Sequence, residues 1–214
     1  MTATAATSVV TSPIEQRVSE LRAVGDAAAA RDQAWAWFEE LGREARSDRR
    51  GAAAKLNELF RLGTPPAAID GRTEGIFVTP LIAGPVDTVV RAVTSAWMPW
   101  LGKRFDAAAE RGDNVLSSSA RLPSKLLWPR YSMGHAGSDA AAFEFLTAVE
   151  PGKADPDVDV LKIDYAPIER NPRFTIKPVR DELVEVVPGA NLGKILWRSG
   201  SGRYRLIGYF ALKS

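Results

Sequence analysis

The chain has 214 residues, 45% hydrophobic and 25% charged, a composition that builds a globular core and argues against wholesale disorder or a fibrous repeat. Twenty-eight Lys and Arg against twenty-six Asp and Glu leave a net charge of +2, too little for the dense basic face that phosphate-backbone binding needs, so no nucleic acid partner is expected. The absence of cysteine excludes disulfides, thiolate zinc sites, iron–sulfur clusters and cysteine nucleophiles, and the single histidine, His135, must carry any triad or imidazole metal site alone.

Residues 1–11 are small and polar and predict a disordered tail. They hold neither a basic n-region nor an apolar signal-peptide run, and no stretch approaches the roughly 20 apolar residues of a membrane span. A cytoplasmic protein without a membrane span is therefore expected. Ser12-Pro13-Ile14-Glu15 has the form of a capping box with proline at the first helical position, and opens a helical segment over 12–63. Ile14, Val18, Leu21, Ala28, Trp35, Phe38 and Leu41 recur at helical steps, giving one amphipathic helix or a pair broken near Gly25 or Gly42. Trp37, two positions beyond Trp35, is expected to face away from this stripe towards a second contact surface, which a homodimer, a partner protein or a wide helix–barrel interface would use. Ala53, Leu56, Leu59 and Phe60 form the next stripe, ended by Gly63 and Thr64-Pro65-Pro66.

From 64 to 214 the texture turns β-branched and aromatic, punctuated by turn residues, and predicts one antiparallel barrel domain. Strands are expected at 72–79, 143–150, 158–165, 182–187, 192–198 and 204–212, and a helix at 87–98. Ser199-Gly200-Ser201-Gly202 reads as a four-residue hairpin loop that sets Arg198 opposite Arg203. That register puts Ile195, Trp197, Tyr204, Leu206 and Phe210 on one buried face, with Gly193 opposite Gly208. Leu192, Lys194, Leu196, Arg205 and Tyr209 fall on the other face. About seven short strands would leave exposed edges in an open sheet, so closure is favoured. Residues 165–214 hold nine basic and four acidic side chains, an excess of five that suits a solvated strand face better than an anion site.

Gly71-Arg72-Thr73-Glu74-Gly75 resembles the opening of a family of small bacterial proteins named for a Gly-x-Trp-x-Gly motif, with Thr73 where the family has tryptophan. Trp100-Leu101-Gly102-Lys103-Arg104-Phe105 is similar to a Trp-x-Gly-Lys-x-Phe segment that follows in that family. The resemblance implies a lipocalin-like β-barrel of unassigned activity. The expected fold is thus α+β, with N-terminal helices packed on a lipocalin-like antiparallel β-barrel.

His135 lies in a glycine-flanked loop, where it could project into a pocket or stand idle in solvent. Asp155, Asp157 and Asp159 alternate like the start of a calcium loop, but Val160 replaces the required glycine and Ala166 the closing glutamate, leaving a solvated acidic turn. No phosphate-binding glycine loop occurs, and the Ser199–Gly202 run is a turn rather than a nucleophile elbow. The tryptophans of the β unit suit either a plain core or the wall of a cavity. The pattern points to a protein that binds or carries a small apolar molecule (an acyl chain, isoprenoid, polyketide or tetrapyrrole). Trp97, Trp100, Lys103, Trp128, His135, Tyr165, Trp197 and Arg205 are the candidate contacts, and no catalytic residue, metal or cofactor is assigned. Two alternatives are a cofactor-free isomerase or cyclase moving a proton with His135, Asp164 or Tyr165, and an interaction module without a cavity.

Overall fold

The computed structural model describes residues 11–81 and 100–214. The helix expected at 87–98, and Trp97 with it, lie outside the described residues. Helix α1 (Pro13–Ala23) opens with the capping box: the Ser12 hydroxyl accepts from the Glu15 N–H at 3.0 Å, and the Glu15 carboxylate accepts from the Ser12 N–H at 3.0 Å. Asp26 caps α2 (Ala27–Glu44) and Asp48 caps α3 (Arg49–Arg61), each side chain accepting an orphan backbone N–H of the first turn. The chain breaks at Gly25 but runs as helix through Gly42, the second break falling at 45–48.

The strands are β1 (Gly71–Arg72), β2 (Glu74–Pro80), β3 (Trp100–Asp106), β4 (Arg111–Leu116), β5 (Gly134–Ala136), β6 (Asp139–Pro151), β7 (Asp159–Asp164), β8 (Val179–Val187), β9 (Ala190–Arg198) and β10 (Tyr204–Lys213). A short helix, α4 (Arg121–Leu127), lies between β4 and β5. All pairings among them are antiparallel, in the order β1-β3-β4-β6-β7-β8-β9-β10-β2, with β5 added to β6. β1 and β2 form one strand interrupted at Thr73: its start pairs with β3 and the remainder with β10, which curls the sheet into a nearly closed barrel. At the crossing, the Thr73 N–H donates to the Lys103 carbonyl at 2.8 Å, and its hydroxyl oxygen accepts from the Lys103 N–H at 3.2 Å. The seam is tight enough to require glycine. A Cβ on Gly75 would stand 2.6 Å from the Gly102 Cα, and one on Gly102, where φ is +141°, would stand 2.2 Å from the Thr73 carbonyl oxygen.

Two cores result. Inside the barrel, Phe105, Leu116, Phe145, Ile163, Leu183, Phe210 and Leu212 pack together. Outside, the helical layer covers part of the wall: Val18, Leu21, Trp35, Phe38, Leu56 and Phe60 pack on Val184, Val186, Leu192, Tyr209 and Ala211 of β8–β10. Those strands are therefore buried on both faces. Trp37 belongs to this core as well, only 6% exposed, with the Arg17 guanidinium of α1 5.4 Å from its ring. Of the three uses open to this second surface, its burial fits the wide helix–barrel interface, because α1 folds back over Trp37, and the homodimer loses the observation that suggested it.

The closing hairpin also differs from its expected register. Arg198 pairs with Tyr204 rather than Arg203, because Ser199 donates to the Arg203 carbonyl at 2.9 Å and widens the loop to 199–203. A bulge between Leu206 and Gly208 then sets Gly193 opposite Phe210, whose ring occupies the space a Cβ on Gly193 would need. Ile195, Trp197 and Phe210 face inward, while Leu206 faces the helices. The meander places the connections 107–110, 152–158 and 188–189 at one end and 117–138, 165–178 and 199–203, including the two longest, at the other.

Candidate functional site

The barrel interior holds a cavity of about 140 Å³. Phe77, Trp100, Leu116, Ile195, Trp197 and Phe210 supply much of its apolar wall, and Lys103, Asn114, Tyr165 and Asp181 converge there as a polar cluster. Each polar residue comes from a different part of the sheet. Lys103 lies on β3, directly paired with Asn114 on β4; Tyr165 follows β7, and Asp181 lies on β8. The inward face of each strand therefore aims one polar group at a common point.

Lys103 is 2% exposed, and its ammonium donates to Asn114 Oδ1 at 3.0 Å, Tyr165 Oη at 2.5 Å and Asp181 Oδ2 at 2.8 Å. The Tyr165 hydroxyl donates to Asp181 Oδ2 at 2.8 Å and also accepts from Asn114 Nδ2 at 3.2 Å. Asn114 is completed by the Trp100 indole N–H, 3.1 Å from Oδ1, and by the Phe143 carbonyl, 3.1 Å from Nδ2. The rings of Trp100, Phe145, Tyr165 and Phe210 surround the ammonium with centroids 5.2–5.7 Å away. Burial pushes the Lys103 ammonium below the usual lysine range, and the Asp181 carboxylate opposes that shift. Burial, reinforced by the Asp181 charge, holds the Tyr165 phenol well above its ordinary value. The result is a charge-neutral lysine–aspartate pair inside an otherwise apolar chamber.

One wall is strained. Two residues of β6 oppose one of β4 between the pairs Gly112–Phe145 and Asn114–Ala142, and Phe143 in this bulge has φ of +51°. Its N–H donates to the Tyr131 hydroxyl, whose ring stacks on Phe143 with centroids 5.1 Å apart. At the mouth, an open groove bounded by Arg173, Phe174, Lys177 and Arg198 shares Trp197 with the cavity.

Of the candidate contacts read from the sequence, Trp100, Lys103, Tyr165 and Trp197 come together in this wall. Three others do not. Trp128 stands behind it, its indole N–H donating to Thr175 Oγ1 at 3.0 Å and its ring edge-on to Phe143. His135 is exposed on β5, its Nδ1 3.1 Å from an Arg121 nitrogen, because β5 adds to the outer part of β6. Arg205 pairs with Trp197 across the hairpin, but its side chain is exposed near the loop and does not line the cavity. Asp164 pairs with Arg180, away from the cavity, and accepts from the Ala166 N–H at 3.0 Å. Asp181 and Asn114 are the participants that periodicity missed, whereas Phe210, expected on the buried face of the hairpin, does line the cavity. Asn114 lies in Arg111-Gly112-Asp113-Asn114, too polar to read as a strand.

The acidic turn at 155–159 is also corrected. Asp155 is 4% exposed and is bonded to Lys194 of β9 and to Arg61 of α3, with Asp157 completing the pair to Arg61. Lys194 further donates to Asn57 Oδ1 at 2.7 Å. This network fastens α3 to the barrel and occupies the carboxylates a cation would need. No group of three or more metal-ligating side chains occurs among the described residues, and none of their helices is long and apolar enough to cross a membrane.

No family model matches the chain, and no curated protein matches it. Among solved structures it is similar to a protein from Thermomonospora curvata, with 14% identity and a TM-score of 0.42 over 82% of this chain and 97% of that one. A likeness that distant transfers neither ligand nor activity.

Proposed function

We propose that the barrel binds a small, mostly apolar molecule in the cavity above Lys103, Asn114, Tyr165 and Asp181. The observation that carries this reading is a chamber walled by aromatic and aliphatic side chains with one convergent polar cluster, the usual composition of a small-molecule site. Size limits the occupant. An apolar cavity of about 150 Å³ accommodates a benzene ring, so the 140 Å³ chamber suits one ring or a short branched chain. A long acyl or isoprenoid chain would have to extend through the mouth, and a tetrapyrrole exceeds the chamber. Native mass spectrometry of the protein as purified, with thermal shifts against single-ring and short aliphatic compounds, tests the reading. A retained or stabilising compound supports it; a protein that purifies empty and answers to none of them overturns it.

The Tyr165–Asp181 contact also supports a second reading, a cofactor-free isomerase, since a phenol bonded to a carboxylate beside a buried ammonium can relay a proton. His135 and Asp164 take no part in that chemistry from their observed positions. This reading requires turnover that Tyr165→Phe abolishes while the ligand still binds.

A further inference from the structure

The hydrogen-bond inventory of the polar cluster restricts the ligand further, granted that the cavity binds one. Lys103 has three donors, and Asn114, Tyr165 and Asp181 take all three. Asn114 uses both amide protons, on Phe143 and Tyr165, and its oxygen accepts twice. The Tyr165 hydroxyl donates once and accepts twice. Asp181 Oδ2 accepts from both Lys103 and Tyr165, whereas no described residue donates to Asp181 Oδ1, although Asp181 lines the cavity. The cluster thus presents an acceptor with unused capacity and no unused donor.

We infer that the cavity selects an uncharged molecule bearing a hydrogen-bond donor, such as an alcohol, a phenol or an amide N–H, and discriminates against carboxylates. A carboxylate would bring a second negative charge to Asp181 and find no ammonium proton free to receive it. Among the described residues the neutral donors left in the wall, the Thr175 hydroxyl and the Trp197 indole, do not compensate the desolvation of an anion. A cationic amine fares little better, because Lys103 stands 2.8 Å from the other oxygen of the same carboxylate. A plain hydrocarbon fills the chamber but leaves Asp181 Oδ1 without a partner.

The test is a series on one ring: toluene, benzyl alcohol and benzoate, titrated into the wild-type protein. Occupancy is read from the methyl NMR shifts of Ile195 and Ile207, which line the cavity. A hydrogen bond to a charged acceptor predicts that benzyl alcohol binds at least about tenfold more tightly than toluene, and benzoate more weakly than both. Benzoate binding as tightly as the alcohol, or an alcohol no better than toluene, overturns the inference and leaves the binding reading standing. Silence from all three overturns both. In Asp181→Asn the preference for the alcohol over benzoate should shrink or reverse, since the amide offers a donor where the carboxylate offered none.

Discussion

Lys103 and Asp181 are each tolerable in the barrel only because of the other. Asp181→Asn leaves a buried ammonium with neutral neighbours and is expected to cost about 3–5 kcal/mol in urea denaturation, the loss seen when one partner of a buried pair is removed. Adding Lys103→Met to Asp181→Asn should restore most of that stability, because an unbranched apolar side chain suits a site ringed by Trp100, Phe145, Tyr165 and Phe210. A double variant as unstable as the single one would show that the pair is not the source of the loss. Half of this cluster was legible in the sequence. Lys103 stood out in the Trp100–Phe105 motif and Tyr165 at the end of an alternating strand, but Asp181 was not. It sits in Arg180-Asp181-Glu182, where charges occupy both faces of β8 and give period-two reasoning nothing to sort.

At the level of elements, the barrel depends on the passage between β1–β2 and β3. Gly102→Ala would place a methyl group 2.2 Å from the Thr73 carbonyl at a backbone angle that favours glycine, so the seam must open. The expected cost is about 2 kcal/mol or more by thermal or urea unfolding. A variant as stable as the wild type would mean that the two edges do not approach this closely. The helices were the most legible elements, because Ser12 and Glu15 announce their own start and the apolar steps are regular. β3 and β4 were missed, since Gly102, Lys103, Gly112 and Asn114 are polar or small residues facing a seam or the barrel interior, and Asp113 pairs with Arg104 on the other face. The hairpin register failed for a related reason: a one-residue loop extension and a bulge near Ile207 each move the pairing by one residue in the same direction, so Gly193 meets Phe210 instead of Gly208, and neither has a signature in Ser199-Gly200-Ser201-Gly202.

For the whole molecule, the buried titratable groups set the response to alkali. Burial raises the phenols of Tyr131, Tyr165 and Tyr209 above their ordinary value near 10. Their contribution to stability is complete below about pH 10 and is lost as pH rises through the folded-state values. Lys103 and Lys194 act in the opposite sense, because burial lowers both: stability climbs as pH rises from their folded values toward 10.5. Stability should therefore hold or rise toward pH 10 and then collapse. The tyrosinate absorbance of the three buried phenols should appear together with loss of near-ultraviolet circular dichroism, and their gradual ionisation in a still-folded protein would contradict the prediction.

The double-sided burial of β8–β10 has a consequence for how the chain is made. Among the described residues the apolar stripe of α1–α3 is covered largely by those strands, with Val78 of β2 and Val160 of β7 beside them, and Arg22 of α1 is fastened to the Val186 carbonyl at 3.0 Å. On the ribosome the helices emerge before the strands, and although β2 follows them closely, most of the wall they rest on is synthesised long afterwards. Trp35, Phe38, Leu56 and Phe60 must wait in solvent or in the care of a chaperone until translation has passed β10. A chain halted before that point would present a sticky helical face with no barrel to receive it, and would be a ready substrate for the proteases that clear unfinished proteins.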